Sequence, residues 1–254
     1  MKKLLAITAL SAALFFGQTA AAEEKAAEEV KPSHVEMVLV LDESGSMSNL
    51  TNDTIGGFNS MIEKEKKLDV DAHVTTVLFN DQYKMLYNRR ELKDVRKMTD
   101  KDYTPGGMTA LLDAVGRTIH KMDMVSGIHR KDKGNKVLFV IITDGEENDS
   151  REYTYADVKK LIKDRQENAG WEFIFLGANI DAVAAAENLG IDGDRAVKYK
   201  NTGSGVRANF KAVAELSDSL AKSGRVSDEW KETVEKDEDD AVDKQSAAVT
   251  LHRR

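Results

Sequence analysis

Three nearly unbroken apolar runs constrain the fold of this chain more than any other feature of its sequence. They span residues 35–41, 137–143 and 171–176. A strand that is apolar on both faces has to be covered on both, which is typical of the central strands of a parallel sheet. Segments with apolar residues at helical spacing alternate with these runs, at residues 54–67, 111–122, 155–168, 182–188 and 205–221. The alternation predicts an α/β fold: a doubly wound, mostly parallel sheet with helices on both faces and right-handed crossovers.

Two further patterns predict the edges of this sheet. Residues 70–79 and 83–92 alternate apolar with polar side chains around Asn80-Asp81, which is a turn signal. We therefore expect an antiparallel hairpin at one edge. A short outer strand is predicted at residues 195–200.

Side chains that carry oxygen follow the first two apolar runs. Asp42 ends the first run and opens a turn in which Ser44 and Ser46 offer hydroxyls at alternate positions, while Asp144 ends the second run. Thr109 follows a glycine-rich turn and begins a helix. In open α/β sheets ligands bind outside the carboxyl ends of the strands, so these residues are expected to meet on one surface. Hard oxygens of this kind suit Mg²⁺, which prefers octahedral oxygen coordination and retains several waters.

This combination resembles the von Willebrand factor type A (VWA) family and its metal-ion-dependent adhesion site (MIDAS). That site combines an Asp-x-Ser-x-Ser turn with a distant threonine and a distant aspartate. Carried over onto this sequence, the motif falls on Asp42, Ser44, Ser46, Thr109 and Asp144. The likeness covers roughly residues 34–221, and all three pieces occur in the family's order.

The resemblance also implies how an ion would be held. In the family the hydroxyls of the first turn bind the ion directly, the threonine binds directly or through water, and the two aspartates often act through water. One coordination position stays open for an Asp or Glu carboxylate of a partner. For this chain the resemblance implies a metal-dependent module for adhesion or assembly that binds a protein or peptide ligand. Mg²⁺ is the expected ion, with Mn²⁺ or Ca²⁺ as alternatives.

The loop before Thr109 departs from the family pattern. Met108 stands between the glycine pair and the threonine, where many members pass directly from glycine to threonine. Thr104, earlier in the loop, is a second and weaker candidate for the threonine position. Asp113, one turn after Thr109, is expected to hold the loop by hydrogen bonding. Three flanking carboxylates are expected to face solvent: Glu43, Glu146 and Glu147.

The same residues do not match common hydrolase signatures. A phosphatase of the haloacid-dehalogenase type would need a second aspartate two residues after Asp42, where this chain has Ser44. A serine hydrolase would need Gly-x-Ser-x-Gly and a histidine to activate the serine. We therefore expect a binding module and no enzyme, with a metal-assisted hydrolase using the same site as the alternative. The five histidines are scattered without the spacing of zinc ligands, so no zinc site is predicted: His34, His73, His120, His129 and His252.

The ends of the chain are expected to lie outside the folded domain. Residues 1–22 combine a basic start, an apolar run too short to span a bilayer, and small residues before a cleavage point. This pattern predicts a cleaved signal peptide and an exported protein, periplasmic or secreted, with no membrane span after cleavage. The remaining organisation is predicted as a polar leader at 23–33, a VWA domain at 34–222 and an acidic, flexible tail at 223–254.

The composition of the chain excludes cysteine chemistry and argues against nucleic acid as a partner. The chain contains no cysteine, which excludes disulfides and thiolate chemistry. Its formal net charge of −7 argues against nucleic acid as a partner, because binding to phosphates needs clustered lysine and arginine.

Overall fold

The computed structural model describes residues 34–67, 71–125 and 135–236, and strands and helices alternate through these ranges. The strands are β1 (His34–Asp42), β2 (Ala72–Phe79), β3 (Tyr83–Glu91), β4 (Asn135–Thr143), β5 (Glu172–Gly177) and β6 (Ala196–Lys198). The α-helices are α1 (Thr51–Glu65), α2 (Leu111–Asp123), α3 (Tyr155–Asp164), α4 (Ala182–Leu189) and α5 (Gly203–Ser223). In this order β2 and β3 follow one another directly, as the predicted hairpin requires.

The six strands form one sheet in the order β3-β2-β1-β4-β5-β6. β3 is antiparallel to β2, and the other neighbouring strands are parallel. The predicted α/β class with an antiparallel edge is therefore confirmed. From β1 the chain moves outward through β2 and β3, and it then continues on the other side of β1 with β4. The neighbouring pair β1 and β4 is thus the topological switch point, where ligands bind in sheets of this kind.

Apolar side chains cover the sheet on both faces. Along β1, Met37 and Leu39 point into one cluster, while Val38 and Val40 point into the other. Helices α1 and α5 cover the first face, and α2, α3 and α4 cover the second. All four of these side chains are fully buried, which explains why the first run is apolar on both sides of the strand.

Two predicted elements differ in extent from the structure. The helix expected at residues 155–168 is divided, because α3 ends at Asp164 and a π turn, Arg165–Ala169, follows it. Gly170 has a φ of 69° and ends this helical segment. The outer strand expected at 195–200 is reduced to the three residues of β6.

The packed part of the chain extends beyond the boundary predicted at residue 222. α5 ends at Ser223, Gly224 caps it with a φ of 70°, and a further helical segment begins at Trp230. Val226, Trp230 and Val234 are buried in the apolar cluster that α5 also joins. Trp230 and Val234, four residues apart, form an apolar stripe along this helical segment, and Val226 precedes it. This region is therefore part of the domain, where a flexible tail was predicted.

Three predicted segments fall outside the described residues: the signal peptide at 1–22, the polar leader at 23–33 and the end of the acidic tail at 237–254. Within the described ranges, no helix has the length and apolar character that crossing a membrane requires.

Candidate metal centre

The carboxylate of Asp42 is fixed at the end of β1 by two hydrogen bonds. The backbone N–H of Ser44 donates to Asp42 Oδ1 at 2.7 Å, and Thr143 Oγ1 donates to Asp42 Oδ2 at 2.6 Å. The hydroxyl of Tyr103 donates to the Asp42 carbonyl at 2.7 Å. Because Thr143 ends β4, the parallel pairing of β1 with β4 places the two strand ends side by side.

The two serine hydroxyls connect this turn to Asp144. Ser44 Oγ and Ser46 Oγ lie 3.1 Å apart, and Ser46 Oγ donates to Asp144 Oδ1 at 2.5 Å. The other carboxylate oxygen of Asp144 accepts from Asn201 Nδ2 at 3.3 Å. Four of the five predicted site residues therefore form one continuous cluster of oxygen atoms.

The glycine-rich loop is joined to the turn after β1 through backbone hydrogen bonds. Gly106 N donates to the Glu43 carbonyl at 2.9 Å, and Gly45 N donates to the Gly107 carbonyl at 3.2 Å. Asn80 in the hairpin turn donates from Nδ2 to the Gly106 carbonyl at 2.7 Å. Gly107 has a φ of 77°, a conformation that favours glycine. The loop is thus held in place on two sides before it enters α2.

Thr109 stands where this loop leads into α2. Its hydroxyl lies beside the end of β4, since a Cβ placed on Gly145 would be 3.7 Å from Thr109 Oγ1. Asn148 fixes its backbone, because Asn148 Oδ1 accepts from Thr109 N at 2.8 Å. The extra residue before it, Met108, is 51% exposed. The departure from the family pattern is therefore accommodated at the surface, and Thr109 still reaches the neighbourhood of Asp144.

Thr104, the second candidate, contacts Glu43 instead. Its backbone N–H donates to Glu43 Oε1 at 2.5 Å, and its hydroxyl lies 3.3 Å from the same atom. Lys84 Nζ on β3 donates to this oxygen at 2.9 Å. Glu43 is only 4% exposed, so the expectation that it faces solvent is wrong. It holds the threonine loop against the edge hairpin.

Two other carboxylates hold the loop after β4. Asp113 accepts from three consecutive backbone N–H groups, at residues 151–153, over 2.9–3.0 Å. Asp113 thus holds a loop by hydrogen bonding, but it is the loop after β4 and not the expected loop before Thr109. Glu147 accepts from the backbone N–H of Leu112 at 2.9 Å, so the expectation that Glu147 simply faces solvent is wrong. Glu146 is exposed, as predicted.

The centre concentrates negative charge without a positive partner. Asp42 and Asp144 are 1% and 2% exposed, and no lysine, arginine or histidine in the described ranges forms an ion pair with either. Burial raises the pKa of the Asp42 carboxyl, and the charge of Asp144 adds to the effect while hydrogen bonds oppose it. Tyr199 and Asn201 each leave a buried side-chain oxygen without a hydrogen-bond partner. Buried carboxylates, hydroxyls and an unused amide oxygen are a donor set that fits a hard divalent cation.

Asn201 was not found from the sequence. It lies between β6 and α5, and it reaches Asp144 because β5 and β6 follow β4 in the sheet. No local motif marks such a residue, since its place depends on the strand order of the whole sheet.

Two of the histidines also lie closer together than the sequence predicts. His34 and His73 lie together with Glu36 at the opposite end of β1, so the expectation that the histidines are scattered is wrong for this pair. The register of β1 against β2 brings them together, and spacing along the chain does not reveal that register. His129 and His252 lie outside the described residues.

The sheet order, its two helical layers and the arrangement at the β1–β4 switch point define a von Willebrand factor type A domain. A family model agrees: vWA-TerF-like, described as the vWA found in TerF C terminus, matches residues 34–197. The chain belongs to this family. No match was found among curated proteins.

Solved structures of the same fold share little sequence with the chain. The vWF domain of the type V pili tip protein Mfa5 from Porphyromonas gingivalis is 13% identical, with a TM-score of 0.51 over 78% of this chain and 99% of that one. The D319A mutant of the PilB minor pilin from Streptococcus sanguinis is 12% identical, with a TM-score of 0.53 over 74% and 62%. Proximal thread matrix protein 1 from the mussel byssus is 11% identical, with a TM-score of 0.52 over 73% and 47%. The chain thus spans about half of the mussel protein's length, and these likenesses concern the fold alone.

Proposed function

We propose that this chain is a protein-binding module whose divalent cation is held at a MIDAS and completed by a partner carboxylate. The proposed ligands are Asp42, Ser44, Ser46, Thr109 and Asp144. The observation that carries the proposal is the continuous oxygen cluster from Asp42 to Asp144, which is largely buried and has no lysine or arginine partner among the described residues. Mg²⁺ is the proposed ion, with Mn²⁺ or Ca²⁺ as alternatives, because the donors are hard oxygens.

The uncharged hydroxyls matter for how a partner would bind. Ser44, Ser46 and Thr109 are neutral ligands, so an ion held mainly by them keeps more of its positive charge than one held directly by several carboxylates. Such an ion supplies an electrophilic position that attracts an Asp or Glu side chain. Ser46 is exposed, whereas Asp42 and Asp144 are buried. We therefore place the approach of the partner on the serine side of the centre.

The surface beside the centre also offers an apolar contact. Met108 is 51% exposed and directly precedes Thr109. Its flexible thioether side chain suits an adaptable contact with a partner. A partner segment that presents a carboxylate next to an apolar side chain would use both features.

A non-enzymatic role is part of the proposal. In the described part of the chain, the Ser44 and Ser46 hydroxyls bond to each other and to Asp144, and neither contacts a histidine or lysine. A nucleophilic serine needs an adjacent general base of that kind. The metal-assisted hydrolase remains the alternative, and it requires metal-dependent cleavage of phosphate or acyl esters that Asp42→Ala abolishes. The proposal predicts no such cleavage above the level of that variant.

We place the protein outside the cytoplasm, in the periplasm or the medium. The support is the signal-peptide pattern of residues 1–22. Related folds occur in a pili tip protein and in a protein of the mussel byssus, and a role in adhesion or assembly is compatible with them. Mass spectrometry of the mature protein tests this point, since cleavage is expected after about Ala22.

Capture of a partner tests the proposed function. The chain from residue 23 onward is immobilised and exposed to envelope and medium of the exporting cell, with Mg²⁺ or with a chelator. A partner should be retained with Mg²⁺, released by the chelator and lost with Ser46→Ala. The matched control is Ser48→Ala, because Ser48 is an exposed hydroxyl of the same turn that donates to the Gly45 carbonyl. A partner retained equally by Ser46→Ala, or in the chelator, would contradict the proposal.

A further inference from the structure

A second group of metal-ligand atoms lies at the start of β1, at the opposite end of the sheet from the centre at Asp42. His34 and Glu36 are two residues apart on a strand, so their side chains project from the same face. In the pairing of β1 with β2, Glu36 lies opposite His73. The strand register therefore places two imidazoles and one carboxylate side by side. Along β1, six residues separate Glu36 from Asp42 and eight separate His34 from it, roughly 20–26 Å of strand.

The ligand atoms converge at close range. His34 Nε2 lies 2.8 Å from Glu36 Oε1 and 2.8 Å from His73 Nδ1. His73 Nδ1 lies 3.4 Å from Glu36 Oε1. In a tetrahedral zinc site with bonds of about 2.0–2.1 Å, neighbouring ligand atoms are roughly 3.3 Å apart. The observed triangle needs only a small expansion to reach those edges.

The surroundings of His34 match those of a metal-binding histidine. Its other ring nitrogen, Nδ1, lies 3.2 Å from Asp71 Oδ2. Ligating histidines usually donate their second N–H to a carboxylate in this way, which fixes the ring and leaves the opposite nitrogen for the metal. Glu36 is 2% exposed, so the carboxylate ligand is already withdrawn from water.

Arg89 is the cation that now stands beside the group. Its Nε donates to Glu36 Oε1 at 3.0 Å and to Oε2 at 3.1 Å. Its Nη2 also donates to Oε1 and lies 3.2 Å from His73 Nδ1. The Arg89 side chain is 32% exposed, so it has room to move toward solvent. A metal ion would replace the contacts of Arg89 with His73 Nδ1 and with Glu36 Oε1, while its contact with Glu36 Oε2 can remain. Arg89 is thus a competitor, whose removal should favour the metal.

We propose that His34 Nε2, Glu36 Oε1 and His73 Nδ1 bind a transition-metal ion of the Zn²⁺ class, with a fourth position left for water or another donor. Imidazole ligands favour Zn²⁺, Ni²⁺ or Cu²⁺ over Mg²⁺, so this site is distinct in chemistry from the centre at Asp42. An ion here would join the start of β1 to β2. The site is independent of the proposed function, because none of its ligands belongs to the oxygen cluster.

Zinc titration of the full protein tests the site, at pH 8 and in excess Mg²⁺ so that the centre at Asp42 is occupied. Competition with a chromophoric zinc chelator gives the affinity, and the visible spectrum of the Co²⁺ form reports nitrogen ligation. We expect one equivalent bound, at least tenfold weaker binding in His34→Gln and in His73→Gln, and unchanged binding in His120→Gln. Arg89→Gln should tighten binding severalfold. Circular dichroism without metal shows whether each variant is folded. If one of the two histidine variants does not fold, the other still tests the site.

Two results would overturn the site. One is zinc binding that persists unchanged in folded His34→Gln and His73→Gln. The other is the loss of zinc binding in Asp144→Asn with retention in both histidine variants, since the ion would then occupy the oxygen cluster. Failure of the proposed function gives a different result. In that case Mg²⁺ binding at the centre near Asp42 is missing, while the zinc titration of the histidine group is unchanged.

Discussion

Ser46 Oγ donates a hydrogen bond to Asp144 Oδ1 at 2.5 Å, although 98 residues separate the two in sequence. The contact exists because β1 and β4 are neighbours in the sheet, so the turn after one strand meets the end of the other. Both residues belong to the motif predicted from sequence. Their proximity joins the serine turn and the distant aspartate into one centre.

The two loop glycines form a matched pair for testing how the loop is positioned. Gly107 has a φ of 77°, and a Cβ added there would lie 1.9 Å from Asp81 Oδ1, whereas a Cβ on Gly106 would meet nothing within 4 Å. Gly107→Ala should lower the free energy of unfolding by about 1–3 kcal/mol and weaken Mg²⁺ binding. Gly106→Ala should change neither by much. Urea unfolding and calorimetry measure both quantities, and equal effects of the two substitutions would contradict this account of the loop.

Asp113 is expected to act on the centre through the loop after β4. Partial burial opposes its ionisation, but hydrogen bonds from the backbone of residues 151–153 hold the pKa of Asp113 below its ordinary value. Asp113→Asn leaves some of these N–H groups without an acceptor, which should cost about 1–3 kcal/mol of stability. The same loop carries Asn148, which fixes Thr109, so Mg²⁺ affinity should fall severalfold. Asp149→Asn, which alters a surface pair with Arg151, is the control and should leave Mg²⁺ affinity unchanged.

Glu65 should make stability depend on pH. Burial raises the pKa of its carboxyl from 4.5 to about 7, against the hydrogen bond from Ser217. The folded pKa lies above the unfolded one, so this stabilisation is complete below about pH 4.5 and is lost as the pH rises through about 7. Between pH 5 and 8, the free energy of unfolding of the parent should fall by about 2 kcal/mol more than that of Glu65→Gln. Urea unfolding across this pH range measures the difference, and Glu63→Gln, at an exposed position, is the control. If the free energies of unfolding of the parent and Glu65→Gln change in parallel with pH, Glu65 is not the cause.

The segment after α5 should be required for stability. Trp230 is 1% exposed and packs in the cluster that α5 joins. Trp230→Ala should lower the free energy of unfolding by about 3–5 kcal/mol. Removal of residues 223–254 should lower it by at least the same amount. Glu229→Ala, at an exposed neighbouring position, should be nearly neutral. A chain ending at residue 222 with the parent's thermal midpoint would restore the shorter domain boundary.

The order of strands and helices could be predicted because each element carries its own periodicity. Runs such as 35–41 reveal strands buried on both faces, and the Asp-x-Ser-x-Ser turn is a local pattern that directly follows such a strand. Thr109 and Asp144 could be added because each stands at the end or start of a predictable element. For these residues, local sequence and sheet topology lead to the same surface.

What could not be predicted depends on contacts between distant segments. Glu43 is charged and follows a strand, yet Lys84 and Thr104 allow it to be buried. The meeting of His34 with His73 requires the register of two strands. The apolar stripe that contains Trp230 is interrupted by charged residues, so composition alone favoured a solvated tail. Side-chain partners and register are properties of the folded sheet, and spacing along the chain does not determine them.

Calorimetric titration with Mg²⁺ tests the central claim most directly. The parent should bind one Mg²⁺, and a hundredfold excess over Kd should stabilise the folded chain by about 2.7 kcal/mol. Asp42→Asn, Ser46→Ala and Asp144→Asn should each abolish the binding heat and the thermal shift, while Ser48→Ala should keep both. If folded Ser46→Ala and Asp144→Asn bind Mg²⁺ with the parent's affinity, the oxygen cluster from Asp42 to Asp144 is not the metal centre.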